Sequence, residues 1–180
     1  MKILLCIVIA DFLTGLLHWV EDTYGVPSWG PPLDKFVVLP NIEHHRNPSA
    51  IGRMSSFVSR NYVSVTLFLA AFFFLYLAGA GYYTFLIGLL ASFGNEVHTW
   101  NHRKASENNA VIRFLQDAGI VQSRQQHNLH HKPPYSSYYC TLTNFTNAVL
   151  ERIRFWRSLE FLLDKIGIKV KRGSDERDGY

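Results

Sequence analysis

The apolar positions of this chain gather into two long runs, and the runs predict helices. Residues 3–19 form the first. As a helix rising about 1.5 Å per residue it spans roughly 25 Å, a short membrane pass. Asp11, Gly15, His18 and Asp22 recur at i, i+4, i+7 and i+11, so they share one helix face. A carboxylate against lipid is costly, and that face is therefore expected to meet protein. Residues 62–93 form the second run and contain no Asp, Glu, Lys, Arg or His. As one helix they would be about 48 Å long, too much for a core of roughly 30 Å. The GAG at 79–81 divides them into two halves, which predicts a hairpin that enters the membrane and returns.

Polar stretches separate and follow these runs. Residues 24–61 read as a wet loop with the turn signals GVPSWGPP and NIEHHRNPSAIGR. Residues 94–144 read as a second polar region. In 145–168, Val149, Ile153, Trp156, Leu159, Leu163 and Ile166 recur at helical spacing beside Arg152, Arg154, Arg157 and Lys165. This predicts one C-terminal amphipathic helix, lying on the membrane surface or packed on the protein's own core. Residues 171–180 read as a charged, disordered tail, which leaves one domain over 1–170. The lysine and apolar run at the N-terminus resemble a signal peptide. No small-x-small cleavage site follows, and Asp11 interrupts the run, so a retained helix is expected.

Composition sharpens this to an all-α integral membrane protein. Hydrophobic residues make up 48% and charged residues 18%, against about 25% charged in ordinary soluble domains. The mean hydropathy of only +0.01 means that much of the chain is wet, so a few passes carry a polar layer on one side. The net charge is +4. The basic residues lie beside apolar segments, which suits an anionic membrane face better than nucleic acid, and no nucleic-acid partner is expected. Lys35, Arg46, Arg53 and Arg60, with Arg103, Lys104, Arg113 and Arg124, place both polar regions on the cytoplasmic side. Cys6 lies in an apolar run and Cys140 in a wet loop, so no disulfide framework is implied.

The candidate chemistry lies in the histidines: His18, His44, His45, His98, His102, His127, His130 and His131. His98 and His102 are i, i+4 and share a helix face. His127, His130 and His131, in QQHNLHHKPP, are i, i+3, i+4, and Pro133 and Pro134 stop that helix. His44 and His45 diverge by about 100° on a helix, so they cannot chelate one ion together. Imidazole suits zinc, copper, iron and nickel. A catalytic zinc takes three protein ligands, so eight histidines are too many for one such site; two ions with about four imidazoles each use the set. Neither the HEXXH form of zinc proteases nor the ExxH of soluble di-iron bundles occurs. Asp22, one turn after His18, is placed to orient an imidazole.

HX3H with HX2HH on apolar hairpins resembles the membrane-bound desaturases and hydroxylases. The stretches DFLTGLLHWVEDTYG (11–25), EHHRNPSAI (43–51), NEVHTWNH (95–102) and QHNLHHKPPYSSYYCTLTNFTNAVLE (126–151) are similar, in order, to the Kua-type lipid desaturase family. The similarity runs from about residue 10 to about residue 170. It implies a di-iron site held by all eight histidines, O₂ as co-substrate, a membrane phospholipid substrate, and a cytochrome b5-like or ferredoxin-like electron donor. It implies the endoplasmic reticulum membrane in a eukaryote, and the inner or plasma membrane in a bacterium. EHHRNPSAI and FWRSLE (155–160) resemble the ether-lipid branch, which converts the alkyl ether of plasmanylethanolamine to a vinyl ether. LQDAGIVQSRQQH (115–127) resembles the plant branch, which desaturates palmitate on phosphatidylglycerol. The ether lipid is the expected substrate, and Asp11, Thr14 and Gly15 are expected to border its tail channel. A transporter or sensor of zinc or iron would also cluster histidines, but it needs polar residues along a membrane path. A non-catalytic scaffold leaves the paired motifs unexplained.

Overall fold

The computed structural model describes residues 1–53 and 57–174. All regular structure among them is helical. The first apolar run becomes α1, Lys2–Tyr24, which ends where the Gly25 N–H returns to the Glu21 carbonyl. Among the described residues it is the one helix long and apolar enough to cross a membrane. The predicted polar stripe faces protein: Asp11, Gly15, His18 and Asp22 are all buried. Ile3, Leu4, Leu5, Leu13 and Leu17 are exposed.

The second run is a hairpin of α4, Phe57–Leu77, and α5, Tyr82–Ser92. Gly79 takes the positive φ (78°) that the turn between them requires. At 11 residues α5 is about 16 Å long, well short of a roughly 30 Å pass. Lys2 Nζ lies 5.3 Å from the centre of the Tyr83 ring, so the start of α1 stands beside the hairpin turn. The outer side is apolar, with Leu69, Phe73, Phe74, Tyr76 and Leu77 exposed.

The stretch 24–61, expected as a loop, is largely helical in its described part. It contains single turns at Pro27–Trp29 and Asp34–Val38, then α2, Leu39–Arg46, and α3, Ser49–Arg53. Pro40, in the first turn of α2, costs no hydrogen bond there and reads in sequence as a breaker. Val38 and Ile42, four apart, are the apolar pair that this short segment buries, too few for a periodic pattern to register.

Beyond the hairpin come α6, Gly94–His102, α7, Ala110–Asp117, α8, Arg124–His130, α9, Asn144–Arg152, and α10, Phe155–Lys165. The single amphipathic helix expected over 145–168 is therefore two. Arg154, left-handed at φ 54°, separates them. The break turns Trp156 into a core of Trp19, Tyr139, Cys140 and Leu150, with Leu159 and Leu163 packed against it. The Trp156 ring stacks on Trp19 at 5.7 Å between centroids. Ile153 and Ile166, expected on the same stripe, are exposed with Phe161 and Leu162. In the stretch read as a charged tail, the Lys171 N–H donates to the Thr23 carbonyl at 2.8 Å; residues 175–180 lie outside the described part.

The extended segment 139–143 lies on α1. Asp11 fixes it: its carboxylate accepts from the Leu142 N–H (2.7 Å), the Thr143 N–H (3.1 Å) and the Thr143 hydroxyl (2.6 Å). A Cβ at Gly15 would stand 2.5 Å from Cys140 Sγ and 3.1 Å from its backbone nitrogen, so only glycine admits this approach. One expectation is corrected here. Cys140 is buried rather than in a wet loop, and both cysteines are free. Asp11, Thr14 and Gly15, the residues expected to border a tail channel, staple two parts of the chain together. Asp11 is fully buried.

Candidate metal centre

Four helices deliver the eight histidines to one place. α1 brings His18, α2 His44 and His45, α6 His98 and His102, and α8 with its C-terminal residue His127, His130 and His131. Local signals set each delivery. Ser123 caps α8, its hydroxyl accepting from the Gln126 N–H at 3.2 Å. The KPP that follows ends the helix one turn after His127. α6 and the approach to α8 are braced together: Asn101 donates to Gln122 Oε1 (2.8 Å), and Gln122 donates to the Cys140 carbonyl (2.7 Å). Asn147 donates to the same carbonyl at 2.7 Å.

The first group is His44, His98, His102, His127 and His131. Their Nε2 atoms meet head to head. His127 to His102 is 2.7 Å, His98 to His44 2.9 Å, His98 to His102 3.0 Å and His44 to His131 3.2 Å. Burial pushes His44, His98 and His127 well below the ordinary imidazole range and His102 to about 3; the neighbouring imidazoles push the same way. His131 is lowered for the same reasons. Burial and the neighbouring rings thus favour the neutral form in all five. One proton each cannot satisfy so many converging nitrogens if the lone pairs face inward.

The second group is His18, Asp22, His45 and His130. His45 Nε2 is 2.8 Å from Asp22 Oδ1, and His130 Nε2 is 3.2 Å from Oδ2. His18 Nε2 is 3.6 Å from Oδ2. Asn41 donates to Asp22 Oδ1 at 2.7 Å. Two of the imidazoles are oriented from behind by backbone: His18 Nδ1 meets the Tyr139 carbonyl at 3.1 Å, and His130 Nδ1 meets the Ser137 carbonyl at 2.9 Å. Such a bond places the proton on Nδ1 and turns the Nε2 lone pair into the group.

Sequence spacing anticipates much of this. His44 and His45 diverge into different groups, as expected, whereas His130 parts from His127 and His131, with which its spacing groups it. Where about four imidazoles each are expected, the fold gathers five in one group, and three with a carboxylate in the other. Asp22 stands among the imidazole nitrogens. The backbone carbonyls of Ser137 and Tyr139 carry no sequence signal, and the adjoining position of the groups arises only from the fold. The His45 and His131 rings lie 5.0 Å apart, and the His18 and His98 rings 5.4 Å.

The donor sets fit metal ions. In each group the candidate ligand atoms all lie within 4.8 Å of one another. Ligands about 2.1 Å from one ion stand about 3.0 Å apart when adjacent and about 4.2 Å when opposite. Five imidazoles, and three imidazoles with a carboxylate, are sets that suit iron, zinc or copper.

The chain is similar to known proteins. The family model described as the lipid desaturase domain matches residues 7–172. Plasmanylethanolamine desaturase 1 of Mus musculus is 31% identical, over 93% of this chain and 65% of the mouse protein. Plasmanylethanolamine desaturase of Myxococcus xanthus is 30% identical, over 89% of this chain and 59% of that protein. Fatty acid desaturase 4, chloroplastic, of Arabidopsis thaliana is 28% identical, over 96% of this chain and 54% of that protein. The chain thus spans a little over half to about two thirds of the length of these relatives. No solved structure matches it. Motifs, histidine geometry and the matched 7–172 agree, and the chain belongs to the lipid desaturase domain family.

Proposed function

We propose that this chain is the catalytic domain of a membrane di-iron lipid desaturase acting on the alkyl ether chain of plasmanylethanolamine. One observation carries the reading: eight histidines and Asp22 converge in two adjoining metal-sized groups at the end of an apolar helix and hairpin. His44, His98, His102, His127 and His131 would hold one iron; His18, Asp22, His45 and His130 would hold the other. The ether substrate is supported by the two plasmanylethanolamine desaturases at 31% and 30% identity.

Bound iron with O₂ supplies the oxidant for unactivated C–H bonds. Overall, a –CH₂–CH₂– unit, O₂, two electrons and two protons give –CH=CH– and two waters. The chain's own residues supply orientation, burial and a fixed geometry. Tyr139 and Ser137 orient imidazoles through their carbonyls. Burial of His98, His127 and His130 keeps water from the ligands. Fixed geometry selects between chemically similar methylenes. The two electrons come from a separate donor of cytochrome b5 or ferredoxin type.

The exposed apolar sides of α1 and the hairpin support insertion in a bilayer, the membrane being that of the endoplasmic reticulum in a eukaryote and the inner or plasma membrane in a bacterium. The basic residues Lys35, Arg46, Arg103, Lys104, Arg113 and Arg124 support a cytoplasmic metal centre; the side chains of Arg53 and Arg60 lie outside the described part. Desaturation of palmitate on phosphatidylglycerol is the second reading, favoured by the similarity to the plant protein.

The test is lipid mass spectrometry on a host lacking vinyl ethers, fed alkyl ether phospholipid, with and without this protein. An ethanolamine ether lipid that loses two hydrogens and becomes acid-labile is the expected result. An acid-stable loss of two hydrogens from acyl chains of phosphatidylglycerol would select the second reading. Two tightly bound irons per chain would separate either from a transporter, a sensor or a scaffold.

A further inference from the structure

We propose that Arg172 is a positioning residue for the His18–Asp22–His45–His130 group, and that the chain around it is a strap across the end of α1. The inference rests on the reading that both groups bind metal.

Arg172 is 42 residues beyond His130 in the sequence and lies in a stretch that composition reads as tail. Its guanidinium is nevertheless 12% exposed and makes contacts with three elements. Nη1 donates to Thr23 Oγ1 (2.8 Å) and to the Tyr139 hydroxyl (2.9 Å). Nη2 donates to both Glu160 oxygens, at 3.1 and 3.2 Å. Glu160 also accepts from the Trp19 indole N–H at 3.1 Å. The backbone joins in: the Lys171 and Arg172 N–H groups both donate to the Thr23 carbonyl, at 2.8 and 3.2 Å. That carbonyl is one of the last on α1 and would otherwise lack an intrahelical partner.

Both routes from Arg172 lead to the second group. Thr23 follows Asp22 on α1, so a strap on Thr23 holds the turn that carries the carboxylate. Tyr139 is fully buried and donates its hydroxyl to the Tyr135 carbonyl at 3.0 Å while Arg172 donates to it. Its own carbonyl meets His18 Nδ1, and its ring lies 5.3 Å from that of His130. Ser137, two residues earlier, holds His130 Nδ1. Fixing the Tyr139 ring therefore fixes the backbone that aims two of the three imidazoles. Arg172 is suited to this because a guanidinium presents several donors in one rigid plane, whereas a lysine presents one point charge.

The test counts and weighs metal ions on the full chain. Purified protein in nanodiscs is stripped, then titrated anaerobically with Fe(II) or Co(II). Metal per chain, the visible spectrum of the Co(II) form and the Mössbauer spectrum of the iron form are recorded. Wild type should bind two ions. Arg172→Ala and Tyr139→Phe should bind one ion normally and the other about 10- to 100-fold more weakly, the range for loss of a residue that orients ligands. Arg172→Lys should fall between. The signals of the retained ion should not move. Lys169→Ala, which breaks only the exposed pair with Asp164, should leave both ions unchanged.

Two normal ions in Arg172→Ala and Tyr139→Phe would overturn the inference and leave the two-site reading intact. Equal weakening of both ions would also overturn it, because it marks a general loss of fold. Fewer than two ions on wild type would defeat the two-site reading itself. If Arg172→Ala does not fold, Tyr139→Phe and Arg172→Lys decide.

Discussion

Asp22 makes the two groups chemically unequal. On the proposed reading, five imidazoles would give a first ion no compensating charge, whereas Asp22 would give a second a carboxylate, a harder donor. Exchange of Asp22 to Ala should therefore abolish desaturation and leave one tightly bound iron per chain, read by metal analysis on protein that still sits in the membrane. Retention of two irons and near-normal turnover would remove Asp22 from the ligand set. Alanine at His98, on the other group, should give the same count with the other spectral signature lost. Asp11 has a different task. It accepts three hydrogen bonds that hold segment 139–143 on α1. Asp11→Ala would strand two buried N–H groups at about 1–3 kcal/mol each. A loss of about 2–6 kcal/mol should appear in denaturant unfolding, with Asp11→Asn losing less because it keeps one acceptor. Unchanged stability would mean the segment is held by something else.

At the scale of elements, the crossing of α1 with segment 139–143 transmits packing to the centre. Gly15 admits Cys140, and Gly94 admits Thr14 and Thr141 at the neighbouring crossing, where a Cβ would stand 2.8 and 2.9 Å from their side-chain atoms. Gly15→Ala should cost about 1–3 kcal/mol, the range for overpacking. Because the same segment carries the Tyr139 carbonyl, the variant should also weaken the second ion, detectable by metal titration. A destabilised variant with both ions at full affinity would break the link between crossing and site. These elements differ in how well the sequence announced them. α1 and the hairpin were legible because an uninterrupted apolar run has few competing explanations. The polar stripe of α1 was legible because a buried carboxylate at helical spacing must face protein. The break at Arg154 was not, since the stripe from Val149 to Ile166 fits one helix as well as two. Only the seat for Trp156 between Trp19 and Tyr139 chooses between them, and that seat is made by residues more than 130 positions away and by residue 139. α2 was missed because Pro40 and the turn residues around it outweigh one buried apolar pair.

At the scale of the whole molecule, the ligands come from four helices, two of them short. An ion that binds only the folded chain stabilises it by an amount set by its concentration over Kd, about 2.7 kcal/mol at a hundredfold excess. Two such ions supply about 5 kcal/mol. In a domain of this size each kcal/mol is worth about 2–4 °C, so exhaustive chelation should lower Tm by about 10–20 °C, and Fe(II) should restore it. The loss should not be uniform. The Nε2 atoms of the first group stand 2.7–3.2 Å apart, so lone pairs turned inward would repel one another in stripped protein. α2 and α8 should separate first, because α2 is eight residues long and α8 seven, too short to hold a helix alone. α1 keeps its staple through Asp11 and should not loosen. Amide hydrogen exchange should therefore quicken over 39–46 and 124–131 in the stripped protein and stay slow over 8–20. Protection unchanged over the two short helices, with Tm unmoved by chelation, would mean that no ion clasps them, and the eight histidines would need another explanation.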